Sequence, residues 1–496
     1  MVFLGIDSGT QSTKTVALDA DSGALLASAS AAYGLIEGLP PGHLEQEPGH
    51  WTEAVERTVA ACLEQLGPRK AEVRGIGVSG QQHGLVVLDE ADRVIRPAKL
   101  WCDTSTAAQC EEIAAAFGGQ SALLARTGNA MLPGYTAPKI LWLKQHEPEH
   151  FARVRSVLLP HDYLNFFLTG VKRMEYGDAS GTGLLDLRSR EWDAAVLETV
   201  DPRLADWLPP LGSSLAPHGI LHPERRDRWG LPDGVVVSAG GGDNMMGAIG
   251  TGNVTPGTVT ASFGTSGTLY ACADHPVIDP RGEVAAFCDS TDRWLPLVCT
   301  MNVTVTTEAV RSLFGWSHSE LENAVAAVEP GAGGLVFLPY LNGERTPNLP
   351  AATGVVHGLR SDTLTPGHLA RAAMEGVTLG LAYGLRRFTE LGVRPSEIRL
   401  TGGGSKSAVW RGIAADAFGV PVVTLTTAEG AALGAAIQAA HASGTVPGSM
   451  ADLCARWVRT DESTRTEPDA GRAAAYAARL DRHLALTSAL HGAGFL

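Results

Sequence analysis

Two hydrophobic periods take turns along this chain, and the switches between them set its elements. Val2-Phe3-Leu4-Gly5-Ile6 and Thr15-Val16-Ala17-Leu18 read as strands on either side of a polar loop, Asp7 to Lys14. Trp51, Val55, Val59, Cys62 and Leu66 then recur at helical spacing, and Val73 to Val78 is another strand, ending in Ser79-Gly80-Gln81-Gln82-His83-Gly84. Val235-Val236-Val237 leads into Gly240-Gly241-Gly242, after which Met245 to Ile249 start a helix. Val259 to Phe263, the loop Gly264-Thr265-Ser266-Gly267-Thr268 and Leu269-Tyr270-Ala271 form a later strand pair. Ile398 to Thr401 runs into Gly402-Gly403-Gly404, then a helix carrying Trp410, Ile413, Ala414, Ala417 and Phe418 that stops at Gly419. The strand Val420 to Val423 and a small-residue helix, Gly430 to Ala440, follow. An alanine- and arginine-rich helix from about Gly471 reads as a surface appendage. Such alternation predicts an α/β architecture.

The order strand, Gly-Thr loop, strand occurs twice, which suggests two halves of similar topology facing each other across a cleft. A length of 496 residues also favours two domains. Gly250, Gly252, Pro256 and Gly257 cluster where one would give way to the other. The expected division is 1–250, 251–445 and a helical tail, 446–496. Gly376, Gly380 and Gly384 make one bare helix face, which reads as a place where two backbones pack closely.

Composition narrows the function classes. Apolar residues make up 44% and charged residues 19%, the balance of a soluble globular protein. A net charge of −14 argues against a nucleic-acid partner, though local backbone amides can still hold an anionic small molecule. Seven scattered cysteines without a C-x-x-C pair fit a reducing compartment. The N-terminus lacks a basic leader and no apolar run is long enough for a bilayer, so the expectation is a cytoplasmic protein with no membrane partner.

Glycine costs roughly 0.5–1 kcal/mol in regular structure, so the run Gly240-Gly241-Gly242 implies that something approaches the backbone closely. The carboxylate after it, Asp243 with Asn244 beside it, has two readings: a catalytic base, or a helix N-cap. Asp7 to Lys14 likewise reads as a polar hairpin turn, or as a phosphate site. In the latter, Gly9, Thr10, Thr13 and Lys14 would meet phosphate and Asp7 a metal ion. Gly264, Thr265 and Ser266 suggest a second phosphate loop without an acid, and the two loops together are more specific than either alone. Gly402 and Gly403, outside any G-x-G-x-x-G spacing, suit either a tight turn or the flat face of a nucleotide, with Ser405 capping the next helix. Polyol recognition needs fixed donors and acceptors and a flat apolar wall. Gln81, Gln82 and His83 supply the first, Trp101 and Asp103 a wall and an acceptor. Singly, His83 reads as a structural histidine and Trp101 as core; clustered at strand ends, they favour a binding site.

These motifs occur in an order that resembles the FGGY family of sugar kinases. Asp7-Ser8-Gly9-Thr10, Gly80 to Gly84, Trp101-Cys102-Asp103, Gly240 to Asn244, Phe263 to Gly267 and Thr401 to Gly404 carry the resemblance. Thr127-Gly128-Asn129, Pro133 to Lys139, Leu159 to Leu164 and Leu338 to Pro347 resemble its xylulose kinases rather than its glycerol kinases. The resemblance covers roughly residues 1–440. It implies two actin-like (ribonuclease-H-like) domains separated by a deep active-site cleft, the first binding sugar and the second ATP, with Mg²⁺ as the accompanying ion. The implied reaction is phosphorylation of a ketopentose, D-xylulose foremost, with ribulose, gluconate or glycerol as alternative acceptors. Residue by residue, Asp243 matches the general base and Asp7 the acid near magnesium and the phosphates. Gln82-His83 match the sugar-contacting dipeptide, and Trp101, Asp103 and Asn244 match sugar-pocket positions. Thr265 and Gly402-Gly403 match positions around ATP. Cys102 stands where other members carry Asn, and His161 where many carry Lys. Family members often form homodimers. An actin-fold chaperone or filament ATPase is the competing class, disfavoured by the polar and aromatic cluster Gln81 to Asp103. A dehydrogenase is more distant, because the first strand ends in Asp7-Ser8-Gly9-Thr10 rather than a glycine fingerprint.

Overall fold

Alternate residues of β1 (Val2–Ser8) leave the strand on opposite faces, and both faces are covered. Val2, Leu4 and Ile6 join a core with Trp51, Val55, Val59 and Cys62 of the helix Pro48–Leu66, at the spacing the sequence predicts. Phe3 points the other way, into a cluster with Leu433, Ala436 and Ile437 of the helix Gly430–Ala442. A Cβ on Gly5 would lie 1.9 Å from the Ala432 carbonyl oxygen, and one on Gly77 2.0 Å from that of Ala435. Two glycines thus let a helix backbone lie directly on the sheet.

The computed structural model describes residues 1–496 and divides into two compact units. One comprises Met1–Thr255, Cys272–Leu295 and Glu429–Val458; the other comprises Pro256–Ala271, Pro296–Ala428 and Arg459–Leu496. The units interleave along the chain, whereas the sequence suggests consecutive blocks.

In the first unit β1 pairs antiparallel with β2 (Ser12–Asp19), and β2 antiparallel with β3 (Leu25–Ala32). On its other side β1 runs parallel to β4 (Val73–Gly80). β6 (Val236–Ser238) runs parallel to β4, and β5 (Pro217–Ile220) closes that edge antiparallel to β6. The second unit repeats this order. β7 (Thr258–Phe263), β8 (Gly267–Ala271) and β9 (Trp294–Thr300) are antiparallel neighbours. β10 (Glu397–Thr401) lies parallel to β7, β11 (Val422–Leu425) parallel to β10, and β12 (Thr460–Thr466) antiparallel to β11. Two sheets of one order, with helices packed on them, make the two-domain ribonuclease-H-like α/β fold.

The last helix, Ala470–Gly492, is not the surface appendage its composition suggests. Tyr476, Leu480, His483 and Thr487 are buried along it, and the Tyr476 hydroxyl donates to Glu375 Oε1 at 2.7 Å. The glycine stripe of the helix Pro366–Glu390 works only in part as a backbone contact. A Cβ on Gly376 would lie 2.3 Å from the Phe337 carbonyl oxygen; at Gly384 the close neighbour is the Val298 side chain, and Gly380 has nothing within 4 Å. No helix is long and apolar enough to cross a membrane.

Candidate active site

The first glycine run is bare to admit the protein's own groups. A Cβ on Gly242 would lie 2.5 Å from Gln82 Cγ, one on Gly241 2.4 Å from Ser290 Oγ, and one on Gly240 2.8 Å from the Val78 carbonyl oxygen. Gly240, with φ 73°, turns the chain after β6. Gln438 holds that turn from both sides: its Oε1 accepts from Gly240 N at 2.8 Å, and its Nε2 donates to Gly240 O at 3.0 Å. Gly241 and Gly242 then pair with Ser79 and Gly80 at the end of β4.

The helix Asp243–Gly250 starts at once, with Gly242 in the capping position. Asp243 is therefore the first helical residue and not the N-cap. Its Oδ1 accepts from the Asn244 backbone at 2.8 Å and from Asn244 Nδ2 at 2.9 Å. Asp243 shows part of its surface, yet its carboxyl is enclosed enough for burial to dominate its ionisation. Burial, then the like charges of Asp7 and Asp178, push its pKa up to about 7, against the Asn244 hydrogen bonds.

Asp7 sits within β1, directly across from Lys14 on β2, so the polar loop contracts to residues 9–11. Ser79 Oγ donates to Asp7 Oδ1 at 2.8 Å. Burial raises the Asp7 pKa against the effects of Ser79 and Lys14, and Glu429 adds to the rise. Three of the expected phosphate contacts are committed elsewhere. Lys14 Nζ pairs with Glu429 at 2.8 Å, and the buried Thr13 hydroxyl donates to Ser8 Oγ at 3.2 Å. Gly9 N donates to Ser12 O at 3.0 Å, while Gly9 O accepts from the Tyr33 hydroxyl at 2.7 Å. Thr10 braces the neighbouring cluster instead, accepting from the Trp101 indole at 3.0 Å and donating to Gln81 Oε1 at 3.3 Å.

The polyol-reading residues divide in two. Asp103 is wholly buried and its acceptor directions are taken: Ser105 N and Oγ donate to Oδ1 at 3.0 and 2.5 Å, Leu44 N and Lys99 Nζ to Oδ2 at 3.0 and 2.9 Å. A carboxylate so engaged anchors the Trp101 loop and has nothing left for a sugar hydroxyl. Gln81 is also turned inward, with Nε2 on Gln46 Oε1 at 2.9 Å. Gln82 lies against the glycine run, and its Oε1 accepts from Asn244 Nδ2 at 2.6 Å. The buried Nε2 of Gln82 is left without a partner, a donor beside Asp243 and Asn244 that an acceptor hydroxyl would satisfy.

His83 has φ 61°, a conformation that costs a non-glycine residue about 1–3 kcal/mol. Its ring lies 5.0 Å from Tyr135 and 5.5 Å from Phe287, and its Nδ1 is 4.0 Å from Asp178 Oδ1. Behind it, buried His161 bridges Asp178 and Asp162, with Nδ1 and Nε2 at 2.8 and 3.0 Å from their carboxylates. Burial alone would lower the His161 pKa, but Asp162 and Asp178 reverse that and hold it well above the usual value.

Several supporting residues escaped the sequence reading. Gln438 could have been noticed as the lone amide in an alanine-rich helix, and Lys139 as a cation amid apolar Pro138, Ile140 and Leu141. Asp178, Tyr33 and Glu429 carry no local signal, since only the fold brings them to the site.

In the second unit, the β7–β8 hairpin pairs Phe263 with Gly267, leaving 264–266 as the turn. Gly264 O accepts from Thr304 N at 2.9 Å and Thr265 O from Val303 N at 3.1 Å, while the Thr265 residue is exposed. Gly402, φ 81°, is bare because a Cβ would lie 2.6 Å from the Phe263 carbonyl oxygen; a Cβ on Gly403 would meet nothing within 4 Å. Ser405 does not cap the helix Ala408–Phe418. A 3₁₀ turn, Gly403–Lys406, intervenes, so Ser407 Oγ accepts from Trp410 N at 3.2 Å, and Ser405 Oγ donates to Gly402 O at 2.8 Å.

Comparison with known proteins covers both units. Models of the N-terminal and C-terminal domains of the FGGY family of carbohydrate kinases match residues 2–250 and 259–443. A xylulose kinase of Haemophilus influenzae is 42% identical over 99% of this chain and 100% of its own. The crystal structure of a xyloylose kinase from Brucella ovis superposes with a TM-score of 0.93 at 32% identity, covering 99% of this chain and 100% of that one. A gluconate kinase from Lactobacillus acidophilus gives 0.92 at 25% identity, over 99% of this chain and 98% of that one.

Proposed function

The chain belongs to the FGGY family of carbohydrate kinases, and on that premise we propose that it transfers the γ-phosphoryl group of ATP to D-xylulose, giving D-xylulose 5-phosphate and ADP. Full-length identity to a xylulose kinase supports the acceptor. The observation that carries the chemistry is Asp243, a carboxylate whose pKa is pushed up to about 7 beside the unpartnered Gln82 Nε2. A base whose pKa matches the working pH is best placed to take a proton during transfer, a contribution of ~10²–10⁴-fold.

In this reading the sugar's terminal hydroxyl gives its proton to Asp243 while its oxygen forms a bond to the γ-phosphorus and the bond to the ADP oxygen breaks. Gln82, His83, Asn244 and the Trp101 indole face hold the sugar, and Asp243 then releases the proton as product leaves. Phosphoryl transfer asks for positioning and charge stabilisation more than covalent chemistry. Contacts with the nucleotide fall to Gly264, Thr265, Ser266, Gly402 and Gly403. Asp7 fits a hard divalent cation, because its buried carboxylate adds to the cost of ionising Asp243, a charge that a cation would offset, and oxygen is the donor such ions take. Asp7 would hold Mg²⁺, which when bound with ATP neutralises phosphate charge. Seven cysteines with no disulfide among them support a cytoplasmic setting, and the family resemblance supports a homodimer.

A coupled ADP-release assay against a panel of pentuloses, polyols and aldonates tests the substrate. D-xylulose should give the highest kcat/KM. A higher value for gluconate would move the enzyme to the activity named for its Lactobacillus fold relative, and ADP release without any acceptor would favour a plain ATPase.

A further inference from the structure

The left-handed backbone of His83 is gripped by two side chains from one segment. Lys139 Nζ donates to the His83 carbonyl oxygen at 2.8 Å and to that of Gly134 at 2.6 Å. The Thr136 hydroxyl donates to the same His83 oxygen at 3.1 Å. Lys139 is wholly buried, where an ammonium is costly and a methionine would fill the space at no electrostatic penalty. Burial pulls its pKa down to about 7, against the attraction of Asp103. A group retained at that cost, with two main-chain oxygens as its targets, marks a backbone shape the protein must keep.

We propose that Lys139 is a positioning residue for the acceptor sugar, holding His83 in the left-handed conformation that presents its imidazole to the substrate. The inference rests on the reading of His83 as a sugar contact. Other elements fix the ring while Lys139 fixes the main chain. Tyr135 and Phe287 pack against the imidazole, and Asp178 faces Nδ1. Gly181 has no side chain because a Cβ there would lie 2.0 Å from His83 Cε1. Without the Lys139 donor, the main chain of His83 can relax toward ordinary φ, and the ring must leave this slot. Neither Lys139 nor His83 belongs to the loops assigned to the nucleotide, Gly264 to Ser266 and Gly402-Gly403, so the effect belongs to sugar affinity and not to ATP.

A double-mutant cycle separates positioning from mere stability. Lys139→Met should raise the KM for D-xylulose about ten-fold or more while the KM for ATP stays within about two-fold, and in a His83→Ala background the same change should raise the sugar KM less than about two-fold. An equal rise in both backgrounds, or an unchanged sugar KM in a variant with a cooperative melting transition, overturns the inference. If Lys139→Met does not fold, Thr136→Val removes the other donor and should give the same coupled pattern at about three-fold. A His83→Ala enzyme with the parental sugar KM overturns the reading of His83 itself, and is thereby distinguished from an additive cycle.

Discussion

The chain carries two glycine triplets after strands, Gly240-Gly241-Gly242 and Gly402-Gly403-Gly404, and they are built for different visitors. In each, the first glycine has positive φ, 73° and 81°, and turns the chain out of its strand. In the first triplet every Cβ position is filled by the protein: Val78 and His161 at Gly240, Ser290 at Gly241, Gln82 at Gly242. In the second, Gly402 and Gly404 are closed off by Phe263 and Trp410, but Gly403 has nothing within 4 Å. The exits from the two triplets differ too. The first triplet enters its helix directly and sets an acid at the first helical position; the second passes through a 3₁₀ turn with Ser405 folded back on Gly402. The same three letters thus make a packed seat for a carboxylate in one place and an open backbone ledge in the other.

The largest test of that contrast is Asp243→Asn, which keeps the shape of the seat and removes the base. We expect kcat to fall ~10²–10⁴-fold with the KM for sugar changed only a few-fold. Turnover within ten-fold of the parent would remove Asp243 from the chemistry. Next in size come alanines at the two triplets. Gly242→Ala pushes a methyl into Gln82 Cγ, 2.5 Å away, and should raise the sugar KM on the order of ten-fold by displacing the Gln82 amide. Gly403→Ala meets no protein atom, so its melting temperature should hold while the KM for ATP rises a few-fold. If Gly403→Ala leaves ATP kinetics untouched, the ledge is a plain tight turn.

Much of the fold was legible in the sequence, and the rest was hidden for physical reasons. Strand periodicity located both hairpins, because Val2 to Ile6 and Val259 to Phe263 alternate or run apolar against two covering layers. The hairpin register was not legible: pairing extends to Ser8 and Thr13, which moves Asp7 out of the loop and onto the strand. Asp243 was found as an acid after glycines, but its pKa depends on Asp7 and Asp178, which lie far away along the chain. Asp103 misled because residue type does not reveal that Leu44, Lys99 and Ser105 consume its oxygens. The final helix misled because the alanines and arginines that dominate it hide a sparse buried stripe, Tyr476, Leu480, His483 and Thr487.

The smallest expected effect concerns stability and has the opposite sign to the loss of rate. Asp243 has a folded pKa raised to about 7 from an ordinary value of 3.8, so the native state holds its proton more tightly than the unfolded chain. Ionising it therefore costs stability: the cost is absent below the unfolded pKa, grows between about pH 4 and 7, and is complete above. Asp243→Asn removes that cost and should stabilise the protein at pH 8 by about 1–2 kcal/mol, a value discounted for the partial exposure of the residue. The gain in melting temperature should shrink steadily as the pH is lowered toward 4. Asp7→Asn, which removes one of the like charges, should reproduce part of the gain at pH 8, and should shift the acid limb of the kcat/KM profile to lower pH in whatever activity remains. A destabilised Asp243→Asn at pH 8 would mean that the carboxylate is held by attractive partners, and the seat would then be a structural anchor instead of a strained site for a base.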